Sequence, residues 1–249
     1  MKTKEDLVLQ KTRSIAAIVN DAYQLYTENF KHLFRASWPI AIIYALAFAL
    51  ATFLFIRDVL PITVAVSHIP SVDWMAVVSA CWQAIAALCL FIIAALLLAS
   101  TAFWACRVHK ATGDIERPAH WWGQWPGLWY VKILWKSFVY LFRPGLRHFG
   151  LLLTTAFITM LFAVVLTFFC ELPAIIIGVA NIKAYTGEAA GDPLGMPDYL
   201  GTLTFIAFTI AGFIQAYVHL ITVFPFYYAY GSIDTLEKER KSIFLIKGL

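Results

Sequence analysis

Four apolar stretches, near residues 36–56, 75–104, 149–180 and 200–230, cut this chain into five polar segments. Each stretch is at least as long as the ~20 residues a helix needs to cross about 30 Å of hydrocarbon. Backbone amides inside lipid have no water to bond, which leaves helices or a closed barrel as the spanning forms. The Lys and Arg residues in the five segments number 6, 1, 7, 1 and 4, all nineteen in the chain. Cationic loops are retained in the cytoplasm during insertion, so so strict an alternation predicts four spans with both termini inside. The expected fold class is an all-α, polytopic membrane helix bundle. It forms a single membrane domain over residues 1–249, with 232–249 as a cytoplasmic tail.

Composition supports this reading. Hydrophobic residues make up 61% and charged residues 14%, against roughly 25% charged in soluble domains. The stretches 75–104 and 149–180 exceed the hydrocarbon thickness, so they must tilt, break or project beyond it. The first thirty-five residues carry six basic positions and no short apolar core of a signal peptide. The chain is therefore expected to begin at Met1. Its net charge of +4 lies on loops that would face anionic cytoplasmic headgroups, and it does not imply a nucleic-acid partner. Cys81, Cys89, Cys106 and Cys170 make no C-x-x-C pair and no zinc-ligand spacing, and read as small packing residues. No cofactor and no metal is implied.

Two segments predicted to lie on the cytoplasmic side have amphipathic helical periodicity. Ile15, Val19, Ala22, Tyr23, Tyr26, Phe30, Leu33 and Phe34 recur at three- and four-residue steps, with Asp21, Gln24, Glu28, Lys31 and Arg35 opposite them. This helix leads straight into the first span, where Trp38 and Pro39 mark the interface. The second segment holds Trp121, Trp122, Trp125, Trp129 and Trp135, with Lys132 and Lys136 on an adjacent stripe. Indole rings favour the headgroup region and lysines snorkel to phosphates, so these residues are expected to anchor an in-plane helix. The motifs Leu25-Tyr26 and Phe30-Lys31-His32-Leu33 align with Leu141-Phe142 and Leu146-Arg147-His148-Phe149 without gaps. An internal duplication, residues 14–110 against 127–235, would give parallel halves related by an axis along the membrane normal.

No phosphate loop, zinc-protease helix or hydrolase elbow is present. Polar residues inside spans are costly there and so mark candidate ligand or transport positions. Gln83 lies in the second span, and Gln215 and His219 lie one turn apart in the fourth; their structural alternative is an interhelical hydrogen bond. Glu171 is the only acid in an apolar stretch. A count from Phe149 puts it roughly 33 Å up, near the outer interface, with a helix break expected at Glu171–Pro173. The segment 107–120 contains His109, Asp114, Glu116 and His120 and reads as a solvated loop. Ala47/Ala51, Ala80/Ala84, Ala207/Ala211 and Gly212/Ala216 have the small-x-x-x-small spacing that lets helices approach closely in lipid. The tail mixes charges with a terminal apolar cluster, Ile243-Phe244-Leu245-Ile246, and is expected to dock on the cytoplasmic helices or on a partner.

The opening run Tyr23-Gln-Leu-Tyr26-Thr-Glu-Asn29-Phe30-Lys-His-Leu-Phe34, followed by Ser37-Trp38-Pro39, resembles uncharacterised bacterial integral-membrane families. These are related to the membrane domain fused to some glycerophosphodiester phosphodiesterases. The resemblance covers some thirty residues, implies a bacterial inner-membrane protein of that build, and transfers no activity. Three functions compete. The expected one is a non-enzymatic scaffold, accessory or lipid-interacting subunit, acting as a homo-oligomer or with a membrane partner. The others are a small transporter or channel using Gln83, Gln215 and His219, and a headgroup enzyme using His109, Asp114, Glu116 and His120.

Overall fold

The computed structural model describes residues 9, 11–59, 74–112, 145–189, 191, 197 and 199–246. The described residues form five α-helices and no strand: α1 (Ile15–Glu28), α2 (Phe30–Leu54), α3 (Trp74–Thr112), α4 (Phe149–Ala189) and α5 (Tyr199–Ile246). A π-turn, Phe55–Val59, extends α2, and a 3₁₀ turn, Gly145–His148, leads into α4. Four segments are long and apolar enough to cross a membrane: Phe30–Arg57, Val77–Lys110, Leu146–Ala184 and Tyr199–Ile243. They coincide with the four stretches read from the sequence, the second beginning at Val77 rather than Met75, and mark a multi-pass membrane protein.

Local chemistry sets the helix ends. Ser14 is extended (φ −69°, ψ 159°) and its Oγ accepts from the Ala17 N–H at 3.3 Å, which caps α1. Asn29 separates α1 from α2, where one unbroken helix was expected. Its Nδ2 donates to the Leu25 carbonyl at 3.0 Å, while its own carbonyl accepts from the amides of His32 and Leu33 at 3.0 Å. One residue thus closes the first helix and opens the next.

The long helices also outrun the expected boundaries. At 41 and 48 residues, α4 and α5 are about 60 and 70 Å long, roughly twice the hydrocarbon thickness. Excess length is taken up by continuation, and the break expected at Glu171–Pro173 is absent. Pro173 lies inside α4, and Pro39 and Pro225 lie inside α2 and α5. Each proline removes one amide donor, a loss that membrane helices absorb through neighbouring groups. Likewise α3 continues through Thr112, so Arg107–Lys110 are helical rather than part of a loop.

The chain packs as two compact units, and all four long helices contribute to both. The first comprises Met1–Trp38, Ala99–Val165 and His219–Leu249. Its core joins Ile18, Ala22, Leu25 and Tyr26 of α1 with Ala102 and Ala105 of α3 and Phe224, Tyr228 and Ile233 of α5. Tyr26 meets Phe224 edge-on, 5.8 Å between ring centres. The buried face of α1 is turned from the expected stripe, with Tyr23 exposed and Asp21 buried, and Phe30 and Phe34 of that stripe are exposed on α2.

The second unit comprises Pro39–Leu98 and Leu166–Val218. Ala41, Ala45 and Ala49 form a buried small-residue row on α2, and Ala211 and Ala216 are buried on α5. Gly212 sits where a Cβ would lie 3.1 Å from the Ala45 Cα, so the two backbones are in near contact. On α5 the expected Gly212/Ala216 spacing stands at this approach, while the row on α2 is Ala41, Ala45 and Ala49 in place of the expected Ala47/Ala51. The rings of Tyr44, Phe48, Phe91 and Phe208 cluster beside this contact, with centres 5.2 to 6.5 Å apart.

Of the residues matched for the duplication, Phe30–Leu33 form the first turn of α2 and Leu146–His148 belong to a 3₁₀ turn before α4. Leu141 and Phe142 lie outside the described residues.

Candidate functional site

The densest polar constellation is in the first unit, at a place the sequence reading left solvated. Arg13 Nε donates to Asp21 Oδ2 at 2.8 Å, with the two side chains 2% and 5% exposed. Arg13 Nη1 reaches the carbonyls of Leu9 and Lys11, both at 3.2 Å. Its guanidinium carbon lies 4.7 Å from the centre of the Tyr228 ring, within cation–π range. The Arg13 amide donates to Ser232 Oγ at 2.8 Å, and Ser232 Oγ lies 3.3 Å from the Lys11 carbonyl it donates to. A buried ion pair is stable only where its remaining donors are satisfied. Arg13 meets that condition by drawing on its own N-terminal strand of chain, α1 and α5.

His109 belongs to the same region. It is 4% exposed, its Nδ1 lies 3.0 Å from the Tyr227 hydroxyl, and its ring packs edge-on to Tyr227 and Tyr228. Lys110 Nζ lies 5.6 Å from the Tyr230 ring centre. A histidine enclosed in this way holds α3 against α5. The other members of its expected group, Asp114, Glu116 and His120, lie outside the described residues.

Gly231 allows the N-terminal segment to dock. A Cβ there would run into the carbonyl and side chain of Leu9. Gly231→Leu is therefore expected to release the segment from α5, and limited trypsin digestion should then cleave after Lys11 and Arg13 at least about tenfold faster than in the parent chain, which corresponds to a loss of about 1.4 kcal/mol of docking energy.

Farther along α5, Glu237 pairs with Arg147 at 3.6 Å and with His148 at 3.4 Å, and Lys238 pairs with Asp234 at 2.8 Å. The start of the tail thus docks within the first unit. The Arg147 side chain is 61% exposed, so Glu237→Gln should change unfolding stability by less than about 1 kcal/mol.

The second unit holds the other polar group. Tyr44, midway along α2 and 1% exposed, lies 3.4 Å through its hydroxyl from Gln215 Oε1. Glu171 Oε1 is buried and has no hydrogen-bond partner among the described residues. Gln83 is exposed on α3 and takes no part in the Tyr44–Gln215 contact, and His219 is exposed on α5 within the first unit.

Among the expected interfacial anchors, Trp38 is 47% exposed on α2. Trp121, Trp122, Trp125, Trp129, Trp135, Lys132 and Lys136 lie outside the described residues.

Arg13, Tyr227, Tyr228 and Ser232 were not singled out from the sequence. One signal did point to the site: Ile18, Asp21, Ala22 and Leu25 have i, i+3, i+4, i+7 spacing, which puts a carboxylate in an apolar register. A carboxylate so placed requires a partner, and Arg13 is the nearest preceding cation. No family model, no curated protein and no solved structure matches this chain.

Proposed function

We propose that this chain is a non-enzymatic scaffold, accessory or lipid-interacting subunit of the bacterial cytoplasmic membrane. In this reading it crosses the membrane four times, keeps both termini inside, and meets anionic headgroups through its basic inner segments. The tryptophan-rich segment 121–142 and the exposed aromatic row of α1 and α2 rest on that leaflet.

The observation that carries the reading is the outward face of the third span. Only 6% of its most apolar 18-residue window is buried among the described residues, against 39% for the first and fourth spans. Phe157, Met160, Phe168, Phe169 and Ile176 are all more than half exposed along it. The Arg13–Asp21 pair, Ser232 and His109 of the first unit, by contrast, are turned inward and bonded within it. A chain that encloses its polar chemistry and presents a broad apolar helix is built to hold lipid or a neighbouring span, where packing drives association.

Native mass spectrometry of the full chain, extracted with its surrounding membrane, tests this. The expected result is a second protein at fixed stoichiometry or a retained set of anionic lipids. A lone chain that retains a distinct polar solute, and loses it in a folded Gln215→Leu variant, would overturn the reading in favour of transport.

A further inference from the structure

We propose that Lys31 and Arg35, with Trp38 one step deeper, form a site for the phosphate of one anionic phospholipid of the inner leaflet. This rests on the role proposed above, in which basic inner segments meet anionic headgroups, and it names where one such lipid binds.

All three residues belong to α2 and to the first unit. Their i, i+4, i+7 spacing puts them on one line of the helix, and each is exposed. Leu33 and Ser37 turn the opposite way and are buried, at 2% and 1% exposure. The line therefore faces away from the protein.

Lys31 and Arg35 are the only Lys or Arg residues of α2, and the helix has no acid. Among the described residues neither has an ion-pair partner. Glu28, the acid nearest in sequence, accepts instead from Gln24 Nε2 at 2.7 Å. Like charges one turn apart repel, and an anion held between them removes that cost. Their Cβ atoms lie about 6 Å apart at this spacing, so an ammonium and a guanidinium fork can grip a single phosphate.

Depth selects a lipid phosphate over one in solution. Arg35 is the last charge before an uncharged run, 36–56, that rises about 31 Å, the thickness of the hydrocarbon layer. Arg35 thus stands at the hydrocarbon edge and Lys31 about 6 Å farther out, at headgroup depth. Trp38, 47% exposed, follows on the inner side, where an indole ring favours the interface. A choline headgroup brings its own cation to the phosphate and competes with both side chains. An anionic lipid leaves its phosphate charge to them.

Native mass spectrometry of the full-length chain in detergent, titrated with phosphatidylglycerol, phosphatidylcholine or inorganic phosphate, tests this. The expected result is one phosphatidylglycerol bound at least about tenfold more tightly than phosphatidylcholine. Lys31→Gln and Arg35→Gln, both at exposed positions, should each weaken it about fivefold, and together about thirtyfold. Lys31→Gln combined with Glu28→Gln keeps the net charge of the segment, and the weakening should persist. Parent affinity in that variant, or in the Lys31→Gln/Arg35→Gln chain, would overturn the site and leave the wider headgroup role standing. Inorganic phosphate bound as tightly as the lipid would overturn the assignment to a lipid. Equal binding of the two lipids by the parent chain would remove the headgroup role and the site together.

Discussion

Arg13→Ala is expected to destabilise the folded chain by about 3–5 kcal/mol, because it leaves Asp21 buried without its cation. Asp21 is 3% exposed, too enclosed for bulk solvent to replace the guanidinium. The loss extends beyond one contact. Arg13 also ties down the carbonyls of Leu9 and Lys11 and covers the Tyr228 ring, so the N-terminal segment and α5 come apart together. Asp21→Ala should cost a comparable amount for the mirror-image reason. The double variant Arg13→Met with Asp21→Leu should recover most of that loss, since a matched apolar pair carries no desolvation penalty. Thermal unfolding of the full chain in detergent, followed by circular dichroism, measures all three. A double variant as unstable as the singles would show that the pair serves something other than packing.

Gly212→Leu is expected to produce the second large effect, about 1–3 kcal/mol or more. A Cβ at this position already lies 2.8 Å from Phe48 Cδ1 and 3.1 Å from the Ala45 Cα. The Phe48 ring can rotate away, but the α2 backbone cannot move without displacing Tyr44 and its contact with Gln215. Gly212→Ala should therefore already cost stability and Gly212→Leu cost more, because the clash begins at the Cβ against the α2 backbone. The same thermal assay reads it. Equal stability of the alanine and leucine variants would mean that α2 and α5 are not held at this close approach.

The spans were legible because their signal is redundant. Apolar length, absence of internal charge and alternation of Lys and Arg all converge on the same four segments. Helix ends were less legible, because proline and glycine punctuate soluble helices more strongly than membrane ones. Pro173 reads as a stop and is continued through. The polar cluster was the hardest part. Asp21 has the same periodicity as Glu28 and Lys31, and only its pairing with Arg13, outside the helix, draws it to the buried face. Pairing of this kind depends on tertiary packing and leaves little mark on local pattern. The small-residue rows were readable because in lipid the absence of a side chain is itself the packing signal, as Gly212 against Ala45 shows. Gln215 was legible as a polar intrusion, but its partner Tyr44 was not, since tyrosine is common in apolar runs.

The most direct test of the account is the topology itself, measured with paired reporter fusions. A fluorescent protein that folds only in the cytoplasm and a phosphatase active only outside are placed at the C-terminus, within residues 113–120, and within the segments 60–73 and 192–196. The expected result is fluorescence with an inactive phosphatase at the C-terminus and at 113–120, and the reverse at 60–73 and 192–196. An active phosphatase at the C-terminus would contradict four spans with both ends inside, and would place the basic segments on the wrong side for the anionic inner leaflet.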